Sequence, residues 1–354
     1  MRKYYLDNIR WLTVVLVVIY HVFYMFNGLT VGVIGPFAPV QWQDAVLYIL
    51  YPWFMVLLFI VSGMCSRFSL EHTDEKTFLK NRTRKLLVPS TIGLFVFQWI
   101  LGYFNMAIGG AFDTMPEMPS VIMYLIMSVS GTGVLWYIQL LWLFSVLLLL
   151  VRKAEKDRLW AKCGGAKMWL ILLLVIPVWC AAQILNTPVV TVYRFGIYGL
   201  AFFLGYFVFS HDEVMERVEK CSSPLIIAAV ILAVIYVWVY FGKNFAENPI
   251  LNSPLSILYC WTACLAILGG MKKHFDFETP FTSFMSKRSF GLYVFHYLTL
   301  AAAAYYLHNF TSLSALPSYL ICAVAAFAGG YILNEIISRI PFLRWAVLGI
   351  KKVD

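Results

Sequence analysis

The chain has 354 residues, of which 61% are hydrophobic and only 13% charged, and its mean hydropathy is +0.78. A soluble domain carries about a quarter charged residues, so the composition excludes a soluble globular protein and points to an all-α, polytopic membrane protein forming one domain over 1–354. The net charge of +9 fits the gathering of Lys and Arg on the cytoplasmic face of a membrane better than a nucleic-acid partner, and none is expected.

The seven cysteines show neither CxxC nor a Cys/His spacing typical of zinc, so they read as buried or cytoplasmic thiols and no metal site is expected. Residues 1–27 begin basic and continue apolar, but no small-residue cleavage site follows, so the first helix is expected to stay. Ten apolar segments approach the roughly 20 residues needed to cross a bilayer: 8–27, 45–64, 86–104, 132–151, 168–185, 190–209, 224–241, 255–270, 289–308 and 316–338. Segment 121–130 is too short and reads as re-entrant or interfacial. With the N-terminus in the cytoplasm, every Lys and Arg falls in an inside segment except Lys243 in an outer loop and Arg10 and Arg194 within spans. That asymmetry predicts ten spans with both termini cytoplasmic. The longest inside connections are 65–85 and 152–167, and the longest outer one is 105–131.

Residues 6–26, LDNIRWLTVVLVVIYHVFYMF, place Arg10 and His21 in the first span. Eleven residues of helix rise about 16 Å and turn about 20° past three full turns, so the two side chains share a face at different depths. Asp7 is three residues before Arg10 and can pair with it. Arg10 either snorkels to the interface or serves a polar site. His21 either bonds a neighbouring helix or acts chemically, since ionisable residues inside spans are functional candidates. A neutral imidazole can take a proton from a hydroxyl or attack an activated acyl group.

Next in order, FIVSGMCSRF (59–68) puts Ser62 and Gly63 at the end of span two, where small residues permit close helix approach. In LKNRTRKLLVP (79–89), Arg82, Arg84 and Lys85 are either positive-inside decoration or a site for phosphate groups, which guanidinium forks suit. In GVLWYIQLLWLF (133–144), Trp136 and Tyr137 are either an interfacial belt or a sugar-stacking surface. Arg194 in TVYRFGIYGLAFFLGY (191–206) lies near the outer surface, snorkelling or facing a polar cavity. In SFGLYVFHYLTL (289–300), Tyr293 and His296 stand three apart on one face near mid-membrane. Glu335 is expected to pair with Arg339 at i,i+4.

Taken in this order, LDNIRWLTVVLVVIYH, FIVSGM, NRTRKLLVP, LWYIQLLW, AFFLGY and SFGLYVFH resemble the acyltransferase 3 family of membrane acyltransferases. The first, third and last are most similar to its glucan biosynthesis protein C branch, which succinylates periplasmic glucans. The resemblance implies transfer of an acyl group from cytoplasmic acyl-CoA (acetyl-CoA or succinyl-CoA) to a hydroxyl, usually of a glycan, in a bacterial plasma membrane. It implies His21 as catalytic, with Arg10, Arg82 and Arg84 as functional arginines serving the donor. Lys85 belongs to the same donor-binding cluster. Trp136, Tyr137, Arg194, Tyr293 and His296 are the expected acceptor-side residues. The competing expectation is a transporter of a small solute such as an amino acid, although no inverted repeat or pair of broken helices supports it. The oligomeric state is left unset.

Overall fold

Hydrocarbon offers no water to a peptide group, so a spanning segment must bond its own N–H and C=O groups, which an α-helix does within itself. The Val- and Ile-rich stretches of this chain, which favour strands in water, are accordingly helical. A computed structural model describes residues 2–30, 33–115, 117–188 and 192–351. Lys352 and positions 190–191 of the expected sixth span lie outside the described residues. Among the described residues, seven helices are long and apolar enough to cross a membrane: Tyr4–Tyr24, Trp42–His72, Gly133–Glu155, Ser222–Tyr240, Pro254–His274, Pro280–Phe310 and Ala315–Arg339. The remaining three expected spans correspond to shorter apolar helices, Leu94–Ile108, Met168–Ala182 and Phe195–Phe209.

The elements that position the site are α1 (Tyr4–Tyr24), α2 (Phe54–His72), α3 (Glu75–Arg82), α4 (Trp99–Ile108), α5 (Ser120–Ser130), α6 (Trp136–Glu155), α7 (Phe195–Leu204), α8 (Pro254–His274) and α9 (Pro280–Phe310). The strands among the described residues are a short antiparallel hairpin, β1 (Asn186–Pro188) and β2 (Val192–Arg194), in which Asn186 pairs with Arg194 and Thr187 with Tyr193. The expected 121–130 segment is α5, which packs on α4 and turns Val121, Ile122, Leu125 and Val129 outward.

Helix α1 packs against α2, α8 and α9. Its first turn is tied to the chain between α8 and α9. The Tyr5 N–H donates to the Asp276 carboxylate at 3.0 Å, and Asn8 Nδ2 donates to the carbonyls of Phe275 and Phe277 at 2.7 and 3.0 Å. The first bond answers one of the orphan backbone donors that every helix start presents, and the other two come from the Asn8 side-chain amide. The packing expected of Ser62-Gly63 is present: a methyl on Gly63 would collide with the Phe202 carbonyl of α7, and one on Gly205 would collide with the Ile60 carbonyl of α2. Two backbones therefore touch, as small residues allow.

Several expected boundaries move. Residues 65–72 belong to α2 and 75–82 form α3, so the expected 65–85 loop is mostly helical. Helix α9 begins at Pro280 rather than near 289, because Thr279 and Thr282 form a reciprocal capping box ahead of a polar but helix-compatible turn. Hydropathy marks the hydrocarbon-facing stretch, whereas caps mark the helix end. Glu335 pairs with Arg288 at 3.6 Å instead of with Arg339, since Arg288 is already held over the Phe284 ring, 4.2 Å from its centroid. Near the C-terminal end of the described chain, Gly349 lies against the Arg84 carbonyl.

Gly63→Val and Gly205→Val should each destabilise the fold by about 1–3 kcal/mol or more, the usual result of overpacking. Gly270→Ala, where an added carbon meets only the Ile226 Cδ1 at 3.4 Å, should be neutral or stabilising by about 0.5–1 kcal/mol. Thermal unfolding in lipid, with monodispersity as a second readout, checks all three.

Candidate active site

The crossing of α1 and α9 brings two histidines together inside the bundle. His296 is fully buried, and His21 is half-buried. His296 Nδ1 lies 3.0 Å from the Leu292 carbonyl and 2.9 Å from the Tyr293 carbonyl. A carbonyl only accepts, so Nδ1 carries the proton and His296 Nε2 is left as an acceptor. That Nε2 lies 3.2 Å from His21 Nδ1, which also lies 2.8 Å from the Val17 carbonyl. Two acceptors converge on His21 Nδ1, so the hydrogen-bond network assigns the proton there too. His21 Nε2 is then a bare lone pair, and no described residue hydrogen-bonds it. The Tyr297 ring meets the His21 ring edge-on at 4.9 Å and Tyr24 does so at 6.3 Å, so the imidazole sits among aromatic walls.

Cations gather around the end of α3 and the turn after it. Helix α3 is capped by Asp74, which accepts from the Thr77 N–H at 2.9 Å. Hydrogen bonds from Thr77, side chain first and then backbone, hold the Asp74 carboxyl below its usual range. The other end of α3 presents Arg82, and the wide π-helical turn that follows, Thr83–Leu87, carries Arg84 and Lys85. Arg84, Arg10 and Arg82 all lie close enough to act on Lys85 through their fields. None of Arg82, Arg84 and Lys85 makes an ion pair among the described residues. Arg82 donates to the Ser66 hydroxyl at 2.8 Å and stands over the Phe78 ring, while the Nε of Arg84 is buried without a partner.

Arg67 shows the opposite case. It pairs with Asp157 at 2.6 Å and Glu71 at 3.0 Å, and stacks on Trp160 at 3.9 Å. The expected Asp7–Arg10 pair is present but long, 3.8 Å, because Asp7 is engaged by Arg2 at 2.8 Å. Arg10 therefore stays exposed and largely free. A separate cavity of about 810 Å³ is walled by Arg2, Lys3, Asp7, Glu71, Asp212 and Glu213 among others, and by none of Arg10, Arg82, Arg84 and Lys85.

A line of hydroxyls runs inward from the cations. Ser66 donates to the Ser62 carbonyl at 2.7 Å, and Ser62 Oγ lies 2.9 Å from the Tyr137 hydroxyl. The Tyr137 ring meets Tyr293 edge-on at 5.9 Å, and Tyr293 lies 6.3 Å from His296. Tyr293 itself donates to the Val134 carbonyl, which fastens α9 to the start of α6. Arg194 and Trp136 form a separate wall. Arg194 is buried, donates to Asn252 Oδ1 at 2.8 Å and stands over the Tyr198 ring, which packs on Trp136 at 5.3 Å. The expected residues thus form three groups: Arg10, Arg82, Arg84 and Lys85; His21, His296, Tyr293 and Tyr137; and Arg194 with Trp136.

Ser66, Tyr297 and Asn252 complete these groups and carry no signal of their own in the sequence. Ser66 lies one helical turn beyond Ser62, which is a legible hint only once Ser62 is known to face inward.

No curated protein and no solved structure matches the chain. A family model described as an acyltransferase domain matches residues 3–335, which takes in α1, the cation cluster and α9. The chain therefore belongs to the acyltransferase 3 family, and the histidine of its first helix and the cations ahead of its third expected span lie within the matched acyltransferase domain.

Proposed function

We propose that the protein moves an acyl group, acetyl or succinyl, from acyl-CoA on the cytoplasmic side to a hydroxyl of a glycan or other extracytoplasmic acceptor. The observation that carries this is the separation along α1 of an uncompensated cation cluster from an imidazole with a free Nε2. Arg10 and His21 differ in depth by about 16 Å, about half the hydrocarbon thickness. A donor with phosphates at one end and a thioester at the end of a long arm matches that separation. In this scheme the cation-rich end faces the cytoplasm of a bacterial inner membrane, as the bias of Lys and Arg requires. Ten crossings bring both termini to that side.

Arg82, Arg84 and Lys85 hold the donor phosphates, for which charge-assisted bonds from guanidinium are suited. The arm follows the Ser66–Ser62–Tyr137 line, whose hydroxyls can meet its amides. The acceptor enters from the far side past Trp136 and Arg194. His21 Nε2 takes the hydroxyl proton as the oxygen attacks the thioester carbonyl. The C–O bond forms, the C–S bond breaks, and the proton passes from Nε2 to the departing sulfur, which restores neutral imidazole. Excluding water from this aromatic-walled site protects the thioester from hydrolysis.

Labelled acetyl-CoA and succinyl-CoA, offered to purified protein in lipid, test the proposal. His21→Ala should keep donor binding and lower transfer by about 10²–10⁴-fold, the scale of general-base catalysis. Arg82→Ala should weaken donor binding by about tenfold or more, as loss of a charge-assisted bond implies. Raising salt about tenfold should narrow that difference by screening. Arg67→Ala should lower the unfolding temperature and leave donor affinity unchanged, because its charge is already compensated. If folded protein binds neither donor, the acyltransferase scheme fails and solute uptake becomes the function to test.

A further inference from the structure

We propose that His296 is the positioning residue for His21 and the acceptor of its Nδ1 proton, so that the two histidines act as one relay. This rests on the acyltransferase scheme above and assigns His296 a role other than contact with the acceptor molecule. Val17 alone would suffice to fix the His21 tautomer, since its carbonyl already accepts from Nδ1 at 2.8 Å. His296 adds what a carbonyl lacks. Its Nε2 can take the proton as well as accept the bond, and it stands 3.2 Å from Nδ1.

Its own orientation is unusually well determined. Nδ1 is held by two carbonyls one residue apart, the ring is fully buried, and Gly330 brings the neighbouring helix against the His296 backbone, where an added carbon would sit 3.3 Å from both N and Cα. Carbonyl dipoles aimed at the Nδ1–H are preorganised to meet a positive charge on this ring. A side chain kept only for packing would need none of this, and a buried imidazole without partners would be costly.

The relay serves either route of transfer. When His21 Nε2 takes the hydroxyl proton, the positive charge is shared across the Nδ1–H···Nε2 bond. When Nε2 instead attacks the thioester, the N–C bond forms and the C–S bond breaks as the CoA thiolate leaves. The Nδ1 proton then moves to His296, leaving a neutral acyl-imidazole. Attack by the acceptor hydroxyl on that acyl group breaks the N–C bond. The hydroxyl proton goes to the thiolate, and the proton on His296 returns to Nδ1. Both routes end with ester, thiol and two neutral rings.

The test uses His296→Ala, His296→Gln and His296→Leu in the full-length protein in lipid, with donor binding measured beside turnover. Donor affinity should stay within about twofold in all three. His296→Leu should lower kcat by about 10²-fold, within the range for lost proton transfer. His296→Gln, which can accept a bond but not a proton, should recover only part of it. In His296→Ala, added imidazole should restore turnover, whereas pyrrole, of similar size but with no acceptor nitrogen, should not. Equal rescue by pyrrole, or unchanged kcat in His296→Leu, would overturn the proposal in favour of packing. ¹⁵N NMR of histidine-labelled wild type reads the pair without any activity: both residues should be Nδ1–H tautomers, and His21 Nδ1 should shift in His296→Leu. A Nε2–H tautomer at either residue would sink the relay. The expected tautomers in protein that turns over neither donor would instead leave the pair standing and remove the acyltransferase scheme.

Discussion

A polar group inside hydrocarbon must be answered by another polar group, because no water is present to do so. Most of this structure follows from that constraint. It makes Val-rich segments helical. It sends the hydroxyls of Ser62, Ser66 and Tyr137 into a connected line, and it ties Asn8 to two carbonyls beyond the end of α8. At the crossing of α1 and α9 it sets the tautomers of two imidazoles, since each Nδ1 faces a backbone carbonyl. Some groups go unanswered among the described residues: His21 Nε2 has no partner there, and neither do Arg84 Nε and the Tyr5, Tyr236 and Tyr319 hydroxyls.

The same constraint distinguishes compensated cations from uncompensated ones. Arg67 is buried with two carboxylates, an aromatic face and a tyrosine hydroxyl around it, so its charge is spent on the fold. Arg82 and Arg84 have a serine hydroxyl and an unpartnered buried Nε between them, and no carboxylate. Concentrating three such charges near Arg10 raises the local potential, and that cost is offset when an anion arrives. Like charges held together by a fold are more informative about a ligand than any count of basic residues.

Close packing is what makes the site possible. The backbones of α2 and α7 touch at Gly63 and Gly205, which holds Ser62 and Ser66 on the side facing α6 and the cation cluster. The Tyr293 hydroxyl fastens α9 to the start of α6. A site spread over α1, α2, α6 and α9 keeps its geometry only if those helices cannot slide, and small residues with buried hydrogen bonds are the available means in lipid.

Composition and the spacing of apolar residues by themselves determined a helical, multi-pass membrane chain, because the bilayer imposes one backbone solution and one length scale. The eleven-residue step from Arg10 to His21 likewise determined that both lie on one side of α1. What lay beyond reach were features created between segments distant in the chain. The start of α9 was set by a capping box rather than hydropathy, and Glu335 met Arg288 because tertiary packing outcompeted a helical neighbour. His21 and His296 are 275 positions apart, and no periodicity relates residues on different helices. Only the tertiary structure decided that they meet, since their contact depends on how α1 and α9 cross and not on the sequence of either alone.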